Sequence, residues 1–399
     1  MVEIIFSLLL LNPSINFGII SAEVFPWAFF IGLIKIKKFE KNILTIIFSI
    51  IILSVFHLIF DQKISPDFVR SFSAYINPLL AVLIIFSSKS IRTSIIKISE
   101  PYLFFLLILG VLQNFSLITF LDGFFQFFIP RASADNLSFS GRGVSLLSTE
   151  PARAGIELIF LYLFVKNFKS TYNLKRDLLF GFYLIIILKS ITVFAFYLIM
   201  LLLLHLSIKK IPLVATFTLI LFLSIVNFYS DARIGMLISS LKGLNYSDAI
   251  DFIINTSGNR IASILSFYPF GIGNPFGGGI GNWQLTSIQA LEFIGYDYQN
   301  LNFFQYSYNE GMRGSGYFTN LMLDLGIVGL LSVLIPLKIL TKKISYQTKK
   351  ASTFKILFFL SLFFIGSVGT TNNWVLFFTL IFNENEKQKN NLSNLLLHK

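Results

Sequence analysis

The chain has 399 residues, of which 55% are hydrophobic and 13% charged, with a mean hydropathy of +0.74, 47 Phe and a formal net charge of +12. No soluble core needs that apolar excess, and the absence of cysteine excludes disulfides, thiolate metal sites and cysteine nucleophiles. His57, His205 and His398 are too scattered for a histidine metal cluster, and the basic residues sit in short clusters between apolar runs, a pattern of membrane orientation rather than nucleic-acid binding.

Solid apolar runs near the length of a membrane span, about 20 residues, make this an all-α polytopic membrane protein. A closed β-barrel would need alternating polarity, which these runs lack. In chain order the expected spans are 3–13, 17–34, 42–60, 73–88, 102–121, 152–168, 177–189, 191–207, 211–228, 317–337, 354–367 and 371–383, about 12 in all with 10 as the lower bound. The first pair, the 177–207 pair and the last pair are each one long run, broken at Asn12-Pro13, Lys189-Ser190 or Thr370-Thr371-Asn372-Asn373; their short halves also suit re-entrant hairpins. No cationic leader or small-residue cleavage site marks the first run, which is expected to be retained.

The chain then divides into an N-terminal bundle (1–121), an outer loop (122–151), central spans (152–228), a large outer loop (229–316), C-terminal spans (317–383) and a tail (384–399). Connections 35–41, 89–101, 169–176, 208–210, 338–353 and the tail share one side. That side carries 22 of the 32 Lys and Arg residues and is expected to be cytoplasmic. Of the 22, all but Arg92 and Arg176 are lysine, whereas Arg70, Arg131, Arg142, Arg153, Arg233, Arg260 and Arg313 lie elsewhere. Lysine suffices as a solvated charge for orientation; the arginine fork suits bidentate contact with phosphate or carboxylate. The outer face therefore reads as an anion-holding surface, although ion pairing with Asp231, Asp248, Asp251, Glu292, Asp297 and Glu310 explains any single arginine equally well.

The stretch SGRGVSLLSTEPARAG, residues 140–155, ends the first outer loop and enters a span at Pro151. Thr149 or Glu150 is placed to cap that helix, and Arg153 to reach Glu150 or Glu157. Glu157, Lys189 and Asp324 each lie near the outer end of a span, where ionisable groups usually mark a working cavity. The 88 residues of 229–316 exceed an ordinary connection. Within them GNRIASILSFY, residues 258–268, has helical apolar spacing and reads as a short amphipathic helix with Arg260 in its first turn. The following PFGIGNPFGGGIGNW permits close ligand approach or serves as a flexible surface turn; no strand precedes it and no Gly-Lys-Ser/Thr follows, so it is not a nucleotide loop. Trp283 closes that run. In YDYQNLNFFQYSY, residues 296–308, Tyr296, Tyr298 and Tyr306 alternate with amides and hydroxyls, a composition suited to sugar rings and equally to an interfacial aromatic belt.

These pieces resemble a known family. SGRGVSLLSTEPARAG is similar to the Arg…Ser/Glu-Pro segment that opens a middle span in Wzy-type O-antigen and capsule polymerases, members of the O-antigen ligase superfamily. NRIASILSFYPFGIGNP resembles their arginine and Pro-x-Gly-x-Gly turn, with Arg260 and Gly271 at the arginine–ten residues–glycine spacing. GSGYFTNLMLDLGIVGLLSVLIPL resembles the span closing their large outer loop. Ser190-Ile191 stands where many relatives carry Ser-Arg, with Lys189 beside it, and 229–316 lacks the histidine on which the superfamily's ligases rely.

The resemblance implies a GT-C-like fold in the bacterial inner membrane, with its active site facing the periplasm or exterior. It implies a metal-independent glycosyltransferase, without cofactor, that moves a growing glycan from undecaprenyl pyrophosphate onto a new undecaprenyl-pyrophosphate-linked repeat. The products would be lipopolysaccharide O-antigen, capsule or exopolysaccharide, with a chain-length regulator as a possible protein partner. On this reading Glu150 and Arg260 are catalytic; Arg142, Arg153, Arg233, Arg313 and Lys189 bind pyrophosphate; Trp283, Tyr296, Tyr298 and Tyr306 hold sugar. An O-antigen ligase is one alternative. A non-enzymatic flippase is another, which charges deep in several spans and internal repeats would favour; neither is present.

Overall fold

The computed structural model describes residues 1–11, 15, 25–60, 64–118, 143–148, 150–169, 173–205, 254, 260–306, 311–342, 349–364 and 368–397, with the side chains of Ile191, Tyr306 and 385–397 left aside. The expected span 211–228 lies outside these residues. Among them every regular element is helical: α1 (Val2–Leu11), α2 (Trp27–Lys35), α3 (Lys41–Phe60), α4 (Pro66–Ser87), α5 (Lys89–Asn114), α6 (Pro151–Phe168), α7 (Leu174–Tyr183, extended by a π turn Leu184–Leu188), α8 (Ile191–His205), α9 (Arg260–Gly273), α10 (Trp283–Phe293), α11 (Asn302–Tyr306), α12 (Tyr317–Lys342), α13 (Lys349–Phe364) and α14 (Asn372–Leu397).

Four of these helices, α3, α4, α5 and α12, are long and apolar enough to cross a membrane. On α3 the side chains of Phe48, Ile52, Ile59 and Phe60 point outward uncovered, as lipid would require and water would not. The helix α6 is long enough as well, but carries Arg153, Glu157 and Lys166 and is buried almost throughout. It packs against α5, α8, α13 and α14 at the centre of the bundle. Stacked and edge-on rings join these layers: Phe160 to Phe354 at 5.3 Å, Phe358 to Phe377 at 4.1 Å and Phe358 to Trp374 at 5.2 Å. Lipid tails are as apolar as these side chains, so packing rather than water exclusion supplies the attraction, at about 0.5–1.5 kcal/mol per aromatic pair.

Some boundaries differ from expectation. The connection 89–101 is helical: Ser88 alone turns the chain, its hydroxyl accepting from Ile91 N at 3.4 Å, and Arg92 caps the end of α4 through the carbonyls of Ile85 (2.7 Å) and Phe86 (3.0 Å). The tail continues α14 rather than starting anew. The break at Lys189-Ser190 falls where expected, between the π turn and α8.

Polar contacts sort the bundle into two ends. At the lysine-rich end, Lys35 pairs with Glu3 (3.0 Å), Lys169 with Glu100 (3.0 Å), and Lys350 donates to the Lys166 carbonyl (2.9 Å). There Asp177, fully buried, accepts from Lys166 (2.5 Å), His205 (2.5 Å) and Tyr162 (2.6 Å). At the other end, Gln113 brackets Leu146, Thr371 donates to the Leu10 carbonyl, Asn77 to the Gly369 carbonyl and Tyr75 to Asp324.

The glycine-rich run after α9 locks onto this second end. Inside α12, Gly326 leaves helical geometry at φ 62° and ψ −164°, which frees carbonyls from the ladder. Gly278 N and Gly279 N donate to Leu323 O and Asp324 O, both at 2.9 Å, and Val328 N donates to Pro275 O at 3.1 Å. A Cβ on Gly277 would lie 2.6 Å from the Asp324 backbone, and one on Gly281 2.6 Å from Phe68 N. His57 Nε2–H donates to the Phe276 carbonyl at 2.7 Å. The run is thus not a loose turn; its glycines let two backbones meet.

Candidate functional site

Residues 143–148 pack against the end of α7, with Val144 N donating to Ile187 O at 3.2 Å. The chain then reaches Glu150 in extended conformation (φ −138°, ψ 142°) at the start of α6, and Pro151 supplies the first helical residue. Glu150 makes no capping hydrogen bond with its side chain. It instead accepts from Arg260 Nη2 at 3.1 Å, across 110 residues of sequence. The same guanidinium donates through Nη1 to Thr192 Oγ1 at 2.7 Å. Both ion-pair partners keep solvent access, with 28% of the Arg260 side chain and 39% of that of Glu150 exposed.

Thr192 is presented by an unusual turn. The π turn 184–188 hands over to Lys189 in the left-handed region (φ 47°, ψ 37°) before α8 begins. π turns recur at functional sites, and a side chain at positive φ is strained. Lys189 and Arg153 are both half-buried, Arg153 one turn into α6. Glu157, a turn deeper and buried, accepts from Ser148 at 3.1 Å. Glu150, Arg260, Thr192 and the Lys189 turn thus gather from three separate segments at the mouth of α6.

A second polar group forms around Arg313, in the segment leading into α12. Asn320 fixes this segment by accepting from Gly314 N (3.1 Å) and donating to the carbonyls of Gly314 (2.8 Å) and Gly316 (2.7 Å). Met312 N donates to Ser287 Oγ at 3.1 Å. So held, the Arg313 guanidinium stacks 3.6 Å from the Trp283 ring centroid. Its Nη2 is buried without a hydrogen-bond partner. Burial, and then the like charge of Arg70, lowers the Arg313 pKa to about 10, which leaves it a cation at neutral pH. Arg70 itself reaches Asp67 only at 4.0 Å. The nearby Asp324 is taken by Tyr75 at 2.7 Å, and Tyr317 secures the Tyr75 carbonyl at 3.0 Å.

The remaining expected residues fall as follows. Trp283 is 8% exposed, with Arg313 over its face. Tyr296 and Tyr298 are half-buried against a small core of the loop that includes Phe267, Phe270, Leu291 and Phe304; Tyr298 meets Phe304 edge-on at 5.5 Å. Tyr306 ends α11, and Arg142 and Arg233 lie outside the described residues. The structure adds Thr192 and Asn320 and brings in Arg70. Thr192 carries no sequence signal by itself; Arg70 was legible only as one outer arginine among several. No family model matches the chain, and no curated protein matches it.

Proposed function

We propose that this chain is a Wzy-type polymerase of lipid-linked oligosaccharide repeats, related to the O-antigen ligase superfamily. On this reading it has a GT-C-like bundle of 10–12 spans in the bacterial inner membrane, with α6, α8 and α9 opening toward the exterior. The observation that carries it is the Glu150–Arg260 pair: the carboxylate forgoes its helix cap to meet a guanidinium from the large loop, at a solvent-open mouth.

The chemistry follows from those groups. The hydroxyl of the new repeat's terminal sugar attacks the anomeric carbon of the glycan held on undecaprenyl pyrophosphate. A carbon–oxygen bond forms to the acceptor as the bond to pyrophosphate breaks. Glu150 accepts the hydroxyl proton, and Arg260 stabilises the charge growing on the departing pyrophosphate, with Arg153, Lys189, Arg142 and Arg233 as further cations there and Arg313 as a pyrophosphate-binding cation apart from them. On this reading Tyr296, Tyr298 and Tyr306 contribute to sugar binding, and Trp283 orients Arg313. Losing one such charge-stabilising donor typically costs about 100-fold or more in rate.

In the bacterium that carries the protein, Arg260→Ala should leave protein level unchanged and shorten surface glycan to single repeats. Long glycan at normal protein level would remove Arg260 from the mechanism. Lengthening of purified lipid-linked repeats by the purified protein tests the activity itself, and movement of labelled repeats across vesicles without lengthening would replace it with transport.

A further inference from the structure

The cations at the outer end do not form one cluster. Arg260 is bound by Glu150 and Thr192, through the start of α6 and of α8. Arg313 belongs to other elements: its ring partner is on α10, its charged neighbour Arg70 on α4, and the nearest acidic group, Asp324, on α12. The helix α9 begins at Arg260, and its far end packs beside Met322, close to Asp324; its 14 residues span about 21 Å.

Arg313 is also built as a receiving group. Its backbone is clamped on both sides by Ser287 and Asn320, and one face is fixed by Trp283. Those contacts orient the fork without neutralising it. Among the described residues no carboxylate approaches Arg313 within ion-pair distance, one terminal nitrogen is buried with no acceptor, and Arg70 adds a second positive charge beside it. Arg313 is half-buried with one terminal nitrogen unsatisfied, and the field of Arg70, which meets Asp67 only at 4.0 Å, adds to the cost of holding its charge there. A multiply charged anion bridging the two would offset both penalties, and planar guanidinium groups match phosphate oxygens bidentately.

From this juxtaposition of Arg313, stacked on Trp283, with Arg70 we infer a second pyrophosphate-binding site, separate from the Arg260 site. Resting on the polymerase reading, its occupant is the carrier headgroup of the acceptor repeat. Polymerisation joins two lipid-linked substrates, and the acceptor's carrier is not released in the step. A site that grips one pyrophosphate while the other departs at Arg260 meets that requirement. Arg70 meets Asp67 only at 4.0 Å, and Asp324 is engaged by the Tyr75 hydroxyl.

The test is stoichiometric binding of undecaprenyl pyrophosphate to the purified full-length protein in nanodiscs, followed by native mass spectrometry and calorimetry. Wild-type protein should take two equivalents. Arg313→Gln, and independently the more exposed Arg70→Gln, should weaken one equivalent by about 30-fold or more, while Arg260→Ala weakens the other. Arg313→Lys, which keeps the charge but not the planar stack, should fall between. A single equivalent that only Arg260→Ala removes would overturn this second site and leave the polymerase reading standing. No binding by wild type would overturn both. Inorganic pyrophosphate is the second arm: if it displaces the Arg313-dependent equivalent at equal concentration, the assignment to a lipid carrier fails.

Discussion

Replacing Gly326 with alanine tests whether the large loop is locked to the bundle at the α12 break. Gly326 sits at φ 62° and ψ −164°. That region is open essentially to glycine, and holding another residue there costs about 1–3 kcal/mol. The added methyl would overlap the Pro275 carbonyl oxygen and lie 2.5 Å from that of Asn274, so the 274–279 turn must withdraw. Withdrawal breaks the hydrogen bonds from Gly278 and Gly279 to Leu323 and Asp324, each contributing about 0.5–1.5 kcal/mol. Taking about 3 kcal/mol, inside the summed range of about 2–6, the undocked loop becomes roughly 150-fold more populated. Hydrogen exchange read by mass spectrometry should therefore show amides of 274–281 exchanging about 100-fold faster, with α6 and α13 unchanged. Gly295→Ala is the comparison, because Gly295 also has positive φ (72°) but nothing within 4 Å of an added Cβ; its effect should stay near 1 kcal/mol. Wild-type exchange in Gly326→Ala would refute the claim that this backbone contact holds the loop.

Glu150→Gln should cut chain elongation by about 100-fold while protein level holds, and combining it with Arg260→Gln should cost far less than the product of the two single losses, as measured by repeat addition in vitro. Thr192→Val removes one of two hydrogen bonds to Arg260 and should slow elongation by roughly 10-fold, an effect of about 1.4 kcal/mol. Asp177→Asn strips a buried charge from Lys166 and should destabilise the fold by about 3–5 kcal/mol, seen as a lower melting temperature in detergent. Because the chain has no cysteine, Arg260→Cys and Lys350→Cys report sidedness cleanly: an impermeant maleimide should label the first in intact cells and the second only in inverted vesicles.

How much was legible in the sequence depended on the range of the cause. Apolar runs and helical spacing are local, so α3, the later part of α4 (which begins at Pro66, ahead of the expected 73), the break at Lys189-Ser190 and the α9 helix with Arg260 at its start were readable. Glu150 was not: helix capping and a long-range ion pair fit the same position, and only Arg260, 110 residues away, decides between them. The glycine run was ambiguous for the same reason. What it approaches are Asp324, Gly326 and Phe68 on two other helices, and no pattern within 271–281 names them. Residues 89–101 looked like a connection because Lys89, Arg92, Lys97 and Glu100 interrupt the apolar run, yet charges are compatible with a helix whose first turns Ser88 caps.

The two ends of the bundle treat buried charge in opposite ways, and that contrast bears on function more than any one residue. At the lysine-rich end Asp177 is saturated by Lys166, His205 and Tyr162, a closed set in which the charges satisfy each other and tie α6, α7 and α8 together. At the other end the charges are more open: Arg260 and Glu150 pair while keeping solvent access, and Arg313 keeps a buried nitrogen with no acceptor among the described residues. Stability alone would favour completing those sets as the first end does, because unpaired buried charge is costly. On the proposed reading, that openness, on elements the loop contacts, suits a surface that meets an external anion. On the same reading, the glycine lock at Gly326 holds the loop so that Arg260 and Arg313 face a ligand in advance of its arrival.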